Sequence, residues 1–360
     1  VGRFSPAEEA AMRRALVLAA TPGVPLGPNP RVGCVILAPD GTPIAEGFHR
    51  GAGTAHAEVD ALEHAGPDAR GATAVVSLEP CHHVGRTGPC SRALLDAGVA
   101  RVVYAQEDPN SEASGGAAAL RAAGVDVAGG LLEEEARTLN RAWTFAVEHR
   151  RPFVTWKFAT TLDGRSAAAD GTSRWISSGA ARRDTHRLRA TCDVMLVGTG
   201  TVIVDDPRLT VRDEVDEPLA EQPLRVVMGE RDLPPRSRVM DPDSPGDALH
   251  LRTRDPLAAL WTLYDRGRRH VFLEGGPTLA AAFLTAGLVD EVVVYLAPML
   301  LGAGHSAVGD LGVSTIADAR HLDVTEVSVL EPHAPGEDTN LRLVLAPRTT
   351  RSGRHRAEEG

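Results

Sequence analysis

The sequence predicts an α/β protein of two domains. Short apolar runs of strand character alternate with stretches of helical periodicity along most of the chain. The alternation halts at a charged, proline-ended segment, His149-Arg150-Arg151-Pro152, and then restarts. A length of 360 residues is enough for two full cores. The expected organisation is a first domain over 1–148, a second over 149–347, and a polar tail over 348–360 that should be disordered.

The elements follow in order. Ser5, Pro6 and Glu8 form a helix start signal, with a cap, a proline at the first position and a capping-box carboxylate, so a helix is expected over 6–20. A Pro/Gly loop ends in Pro28-Asn29-Pro30, and the runs 32–38 and 44–49 flank the turn Pro39-Asp40-Gly41 as a hairpin. The alanine-rich run after His56 reads as a helix to residue 64, and 72–78 as a buried strand. Helix 91–97, strand 99–105, helix 117–123 and strand 125–127 continue the pattern, and one helix is expected over 131–148. In the second domain, strands are expected at 153–158, 194–197, 225–228, 270–273 and 291–296. Helices are expected at 178–190, 256–266 and 278–285. The stretch 160–172 reads as loop and the polar stretch 239–254 as surface, while Gly198-Thr199-Gly200-Thr201 reads either as a cradle for a dinucleotide phosphate or as a plain tight turn.

Bulk properties narrow the function classes. Apolar content of 43% and charged content of 24% are those of a soluble globular protein. A net charge of -10 argues against general nucleic-acid binding while leaving room for a local basic pocket. Four cysteines are too few for a disulfide scaffold, and no apolar run approaches membrane-spanning length. A reducing, cytoplasmic setting is expected, with thiols free for metal.

The chemistry-bearing stretch is His56-Ala57-Glu58 with its answering segment Glu79-Pro80-Cys81 through Cys90. One imidazole and two thiols are the donor set of a catalytic zinc, which keeps its last position for solvent. Glu58 is placed as a proton carrier, and H-x-E followed by P-C and a second cysteine is the zinc deaminase signature. The gap from Cys81 to Cys90 is longer than the C-x-x-C of that signature. His82 and His83 are rival ligands and could close a purely structural site; Cys34 and Cys192 read as core, Cys192 alternatively as surface. The expected reaction is hydrolytic deamination of an amidine-like ring carbon, with Glu58 carrying the proton to the departing amine. A free-nucleoside or nucleic-acid deaminase is the rival reading.

Three segments carry a resemblance: Pro28-Asn29-Pro30-x-Val32-Gly33-Cys34; Gly47-x-His49-x-x-Ala52-Gly53-x-x-His56-Ala57-Glu58; and Glu79-Pro80-Cys81-x-x-x-Gly85-Arg86-Thr87-x-Pro89-Cys90. Together they resemble the bifunctional riboflavin-biosynthesis deaminase/reductases of the bacterial RibD type, over residues 6 to about 344. The resemblance implies a cytidine-deaminase-like three-layer αβα domain and a dihydrofolate-reductase-like α/β domain. It implies a phosphorylated diaminopyrimidinone substrate, with Asn29, His49 and Arg86 holding base, ribose and phosphate. Gly88 stands where the family usually has proline.

From its residues alone, the second half reads only as a binder of a phosphorylated ligand. The Gly198–Thr201 turn and Glu274-Gly275-Gly276-Pro277-Thr278 lie at strand ends, but neither is a G-x-G-x-x-G fingerprint. Lys157-x-Ala159-x-x-Leu162-Asp163-Gly164, Ser173-x-Trp175-Ile176, Gly200-Thr201-x-x-x-Asp205-Asp206-Pro207-x-Leu209-Thr210-x-Arg212 and Glu274-Gly275-Gly276 resemble the family's NADPH-dependent reductase domain. By that resemblance Ala159, Trp175, Thr201, Asp205 and the loop Gly276, Pro277, Thr278, Leu279, Ala280, Ala281 and Ala282 would meet NADPH. Ser173, Arg189, Leu209, Arg212 and Glu274 would meet the substrate; Lys157 reads as a proton donor or imine-side charge, or else as a strand-end lysine in a structural ion pair. Arg189 and Arg212 suit a phosphate, or else form surface ion pairs; Trp175 could instead be core. Met228-Gly229-Glu230 replaces an Asp-Ser pair common in the family, and an anionic Glu230 does not suit the 2′-phosphate of NADPH. The partner is expected to be a small phosphorylated pyrimidine, with neither nucleic acid nor membrane, in a homo-oligomer (dimer or tetramer).

Overall fold

The computed structural model describes residues 3–24, 27–83, 88–213, 216–332, 336 and 338–348. The tail expected over 348–360 therefore lies, apart from Arg348, outside the described residues. The chain divides into two compact units that change over at Pro152/Phe153, and Leu263–Arg269 groups with the first. The change falls past the expected 148/149 because the last helix of the first unit runs to His149 and is stopped by Arg150, in the left-handed region at φ 54°.

The first unit runs α1 (Pro6–Ala19), β1 (Gly33–Leu37), β2 (Pro43–Phe48), α2 (Ala57–Ala65), β3 (Thr73–Leu78), α3 (Cys90–Ala97), β4 (Arg101–Gln106), α4 (Gly116–Ala122), β5 (Asp126–Gly129), α5 (Glu133–Leu139) and α6 (Arg141–His149). The capping box forms as expected, with Ser5 N–H donating to Glu8 Oε2 at 2.7 Å and Glu8 N–H to Ser5 Oγ at 3.2 Å. The sheet order is β2-β1-β3-β4-β5, antiparallel through β3 and parallel from β3 to β5. Alternation along β1 feeds two cores. Cys34 and Ile36 join Ala57, Ala61, Val76 and Leu94 on one face, while Val35 and Leu37 join Met12, Ala15, Val75 and Val103 on the other. A strand buried on both faces is what makes this unit three-layered, and each fully buried side chain such as Leu94 contributes about 2 kcal/mol.

The helix expected over 131–148 is two helices, because Asn140 leaves helical geometry to serve another segment. Its amide mimics a peptide group: Arg31 N–H donates to Asn140 Oδ1 at 2.8 Å, and Asn140 Nδ2 donates to Arg31 O at 2.9 Å. That pair pins the backbone just after Asn29 and Pro30.

The second unit runs β6 (Phe153–Thr161), β7 (Arg165–Ala167), α7 (Gly179–Arg189), β8 (Val194–Gly198), α8 (Thr199–Asp205), β9 (Leu224–Met228), β10 (Ala248–Leu251), α9 (Pro256–Asp265, its residues from Leu263 grouping with the first unit), β11 (His270–Leu273), α10 (Pro277–Thr285), β12 (Glu291–Ala297), β13 (His305–Ser306), β14 (Leu322–Leu330) and β15 (Asn340–Pro347). Its main sheet has the order β10-β9-β8-β11-β6-β12-β15-β14, parallel from β10 to β12 and antiparallel across β15 and β14. The αβα layering of the first unit and this largely parallel α/β sheet match the two folds the resemblance implied.

Four expectations are corrected here. The 160–172 loop contains the end of β6 and all of β7, which pairs with β13. Gly198-Thr199-Gly200-Thr201 is the strand-to-helix junction into α8 rather than a plain turn. The polar 239–254 stretch contains β10, which is half-buried throughout and so lacks a continuous apolar run. Strands β14 and β15 were not anticipated, although 322–330 and the start of 340–347 carry the apolar–polar alternation of a strand. Among the described residues no helix is long and apolar enough to cross a membrane.

Candidate active sites

In the first unit the donors converge as their spacing predicts. His56 is the residue before α2, Cys81 lies just past the end of β3, and Cys90 opens α3. Two glycines permit the approach. A side chain at Gly47 would strike the α2 backbone at Ala61 N, 2.4 Å away, and one at Gly116 would strike Pro80 O at 1.8 Å. The ligand atoms of His56, Cys81 and Cys90 all lie within 4.8 Å of one another. His56 Nδ1 is 3.2 Å from Cys90 Sγ and 3.6 Å from Cys81 Sγ. Tetrahedral zinc with one nitrogen and two sulfurs requires N···S separations of roughly 3.6 Å, so the donor set fits that ion.

The protonation pattern agrees. The hydrogen bond from the Cys90 thiol is the chief reason Cys81 is pulled down to about 4, with His56 helping against burial. That shared proton also holds the Cys90 thiol up, with burial and Glu58 adding to it. Two sulfurs sharing a proton beside an imidazole are a site that a divalent cation completes by displacing the proton. His82 is exposed and its Nδ1 lies 2.9 Å from Ser91 Oγ; neither it nor His83 joins the cluster. Cys34 and Cys192 are buried in apolar clusters.

Glu58 is 3% exposed. Burial, and next the negative charge of Cys81, push its carboxyl up to about 7. Asn29 and His49 share the same cavity with His56, Glu58 and Cys81. Asn29 Nδ2 lies 2.9 Å from His49 Nε2, and His49 Nδ1 lies 3.0 Å from Ala55 O. The tautomer consistent with both contacts donates from Nδ1–H to Ala55 and accepts from Asn29, which leaves Asn29 Oδ1 as an acceptor. Burial lowers the His49 pKa, in keeping with a neutral ring. Arg86 lies outside the described residues. Asp108 also lines the cavity and was missed; burial, with Glu79 and Cys81 near, pushes it up to about 6. Its signal was the Asp108-Pro109-Asn110 turn just past β4.

In the second unit Ala159, Thr201, Glu274 and Gly276 lie at or near the carboxyl ends of parallel strands. From β8 the chain passes through α8 to β9, on one side; from β11 it passes through α10 to β12, on the other. Such a reversal opens a crevice at the strand ends. Thr201 Oγ1 lies 3.9 Å from where a side chain at Gly276 would begin, so the α8 and α10 starts face each other across it. Asp205 is exposed at the end of α8, and Ala159 is half-buried on β6. The 276–282 loop is instead the start of α10. Gly276, Pro277, Thr278 and Leu279 remain accessible, whereas Ala280 and Ala281 turn into the core and Ala282 is half-buried.

Glu274, just past β11, is the hub. Arg189 Nη2 lies 2.5 Å from Glu274 Oε2, Arg189 Nε lies 3.3 Å from Oε1, and Lys157 Nζ lies 3.9 Å from Oε1. Arg189, half-buried, forks onto Glu274 and also donates to Thr210 O at 3.2 Å, next to Leu209 at φ 56°. Burial alone would raise the Glu274 carboxyl, but Arg189 and Lys157 outweigh it and hold it below its usual value. Burial lowers the Lys157 ammonium. His186, also missed, accepts Arg212 N–H at 3.2 Å, and burial with Arg189 lowers it to about 4. The Arg212 side chain pairs with Asp216 at 3.5 Å. Ser173 is exposed, and Trp175 is 63% exposed with Arg182 4.4 Å over its ring, so Trp175 is not core.

Comparison with known proteins identifies the family. Residues 5–106 match the family model for the cytidine and deoxycytidylate deaminase zinc-binding region, and 152–333 match the RibD C-terminal domain. The riboflavin biosynthesis protein RibD of Mycobacterium tuberculosis is 49% identical over 306 residues, covering 85% of this chain and 89% of that protein. Its Escherichia coli counterpart is 40% identical over 373 residues, covering 94% and 100%. Among solved structures, RibD of Acinetobacter baumannii (form 1) superposes with TM-score 0.85 at 37% identity, covering 95% of this chain and 99% of that one. A Thermotoga maritima protein superposes with TM-score 0.80 at 30% identity, with the same coverage. It is described as a diaminohydroxyphosphoribosylaminopyrimidine deaminase/5-amino-6-(5-phosphoribosylamino)uracil reductase. The chain therefore belongs to the RibD family, the bifunctional zinc-dependent deaminases and NADPH-dependent reductases of riboflavin biosynthesis.

Proposed function

We propose that the first unit deaminates 2,5-diamino-6-ribosylamino-4(3H)-pyrimidinone 5′-phosphate. The second then uses NADPH to reduce the ribosyl group of 5-amino-6-(5-phosphoribosylamino)uracil to a ribityl chain. The observation that carries this reading is the buried carboxylate of Glu58 beside three soft donors within 4.8 Å of one another. His56, Cys81 and Cys90 would hold zinc, which when bound lowers the pKa of water toward neutrality.

The protein's part is proton handling and placement. Glu58, raised to about 7, can both take a proton and return it to the departing amine. Asn29 Oδ1 faces the base as an acceptor, held by the Asn29–His49 contact of 2.9 Å and by the Asn140 clamp behind it. In the second unit the hydride for the ribosyl C1′ would come from NADPH when bound. Lys157, whose ammonium burial makes easier to deprotonate, is the group we assign to proton delivery, with Glu274 and Arg189 fixing its position. Arg212, Leu209 and Ser173 would line the substrate side; Trp175, Thr201, Asp205, Ala159 and the α10 start would line the cofactor side. The same reading includes a cytoplasmic homo-oligomer, which sedimentation at micromolar concentration would test.

The decisive assay couples the two halves. With the diamino substrate, ammonia release should precede NADPH oxidation. Glu58→Gln should slow both by about 10²- to 10⁴-fold, yet oxidise NADPH at the parental rate when given the deaminated uracil. Parental ammonia release by that variant would refute the reading of Glu58.

A further inference from the structure

We infer that Arg231 takes the phosphate on the adenosine ribose of NADPH, an assignment that rests on the NADPH-reductase reading of this same crevice. The segment Met228-Gly229-Glu230-Arg231 leaves the carboxyl end of β9, where the anionic Glu230 looked unsuited to a phosphate. The structure removes that difficulty. The Glu230 carboxylate pairs with Arg254 Nε at 3.0 Å, and Arg252 pairs with Asp232 at 2.6 Å.

The backbone here is firmly placed. Gly229 has φ 137°, and a side chain on it would begin 2.9 Å from Thr199 Oγ1, so the segment is pressed against the β8–α8 junction. From the other side Gly229 N–H donates to Leu251 O at 3.0 Å, and His250 Nε2 lies 2.8 Å from Gly229 O. Arg231 then reaches back over the junction. Its Nε donates to Thr199 Oγ1 at 3.3 Å, and its Nη2 stands 3.1 Å from where a side chain at Gly200 would begin. Unlike Arg252 and Arg254, it forms no carboxylate ion pair among the described residues. One edge of its guanidinium is therefore anchored by a neutral hydroxyl, and the residue is otherwise exposed at the crevice lip.

Strand order selects the ligand group. The reacting end of the cofactor belongs by Lys157 and Glu274, at β6 and β11. A dinucleotide laid from there across β8 reaches β9 with its adenosine half. A phosphate there meets a guanidinium suited to it as a fork, and a cofactor without the phosphate leaves that fork unused.

The test is direct binding to the full chain, by calorimetry, of NADPH, NADH and 2′,5′-ADP. Arg231→Gln should weaken NADPH and 2′,5′-ADP about ten- to hundred-fold while NADH changes by less than about twofold. Arg231→Lys should restore part of the loss, Glu230→Gln should not weaken NADPH, and the melting temperature should not move. Arg231→Gln binding NADPH as tightly as the parent would overturn the assignment while leaving the reductase reading intact. Equal weakening of NADH would also overturn it, by exposing a merely structural role. A parent chain that binds no NADPH would overturn both.

Discussion

Both units place chemistry beside the carboxyl ends of parallel strands, but they build it from opposite materials. The first uses rare residue types close in sequence, with ligand pairs 34, 25 and 9 residues apart, all carried on two helix starts and one strand exit. The second uses ordinary charged residues brought from far apart, Arg189 and Glu274 being separated by 85 residues. The lesson is energetic as well as architectural. Two thiols and an imidazole become useful by giving up protons to a metal, whereas Lys157, Arg189 and Glu274 satisfy one another within the protein. The first site should therefore be sensitive to loss of its ion, the second to loss of any one charge.

The largest effect expected is chemical and confined to one half. Glu58→Gln should lower deaminase kcat by about 10²- to 10⁴-fold with zinc retained, as ammonia release and metal analysis would show. A parallel fall in reduction of the deaminated substrate would break the separation of the halves.

Next comes Glu274→Gln, which leaves Arg189 and Lys157 without their buried partner. Stability of the second unit should fall by about 3 kcal/mol in urea. The pH dependence has a definite sign. Glu274 is held below its ordinary 4.5, so its contribution is complete above about that pH. It is lost as pH falls through the lower folded value, where urea midpoints of parent and variant should converge. Midpoints equally far apart in acid would mean that the charge of Glu274 is irrelevant.

A smaller loss is expected from Asn140→Ala, which strips both partners from the Arg31 peptide. It should cost the first unit about 2 kcal/mol and raise the deaminase KM through Asn29, without changing NADPH binding. An unchanged KM would detach the clamp from the substrate pocket.

The same contrast explains what could be read from the chain alone. His56, Glu58, Cys81 and Cys90 were legible because spacing and residue type together specify a metal chemistry. The capping box at Ser5 and the strands buried on both faces were legible because their signals are local. Asn140 was not, since nothing nearby in sequence shows that its amide is needed by Arg31. The hub role of Glu274 was hidden for the same reason. Strand β10 is half-buried and its apolar run is broken by His250, whereas β14 shows its strand character as alternation rather than as an apolar run. The helical pattern over 278–285 places α10 to within a residue, since Gly276 is the residue before the helix and Pro277 its first position.

The most direct test is zinc content by native mass spectrometry, with the visible spectrum of the cobalt-substituted protein. The account predicts one ion per chain, lost in Cys81→Ser and kept in Glu58→Gln, with a spectrum of two sulfurs, one nitrogen and an exchangeable solvent ligand. Full metal occupancy without Cys81, or a cobalt spectrum showing four protein donors and no solvent, would contradict it.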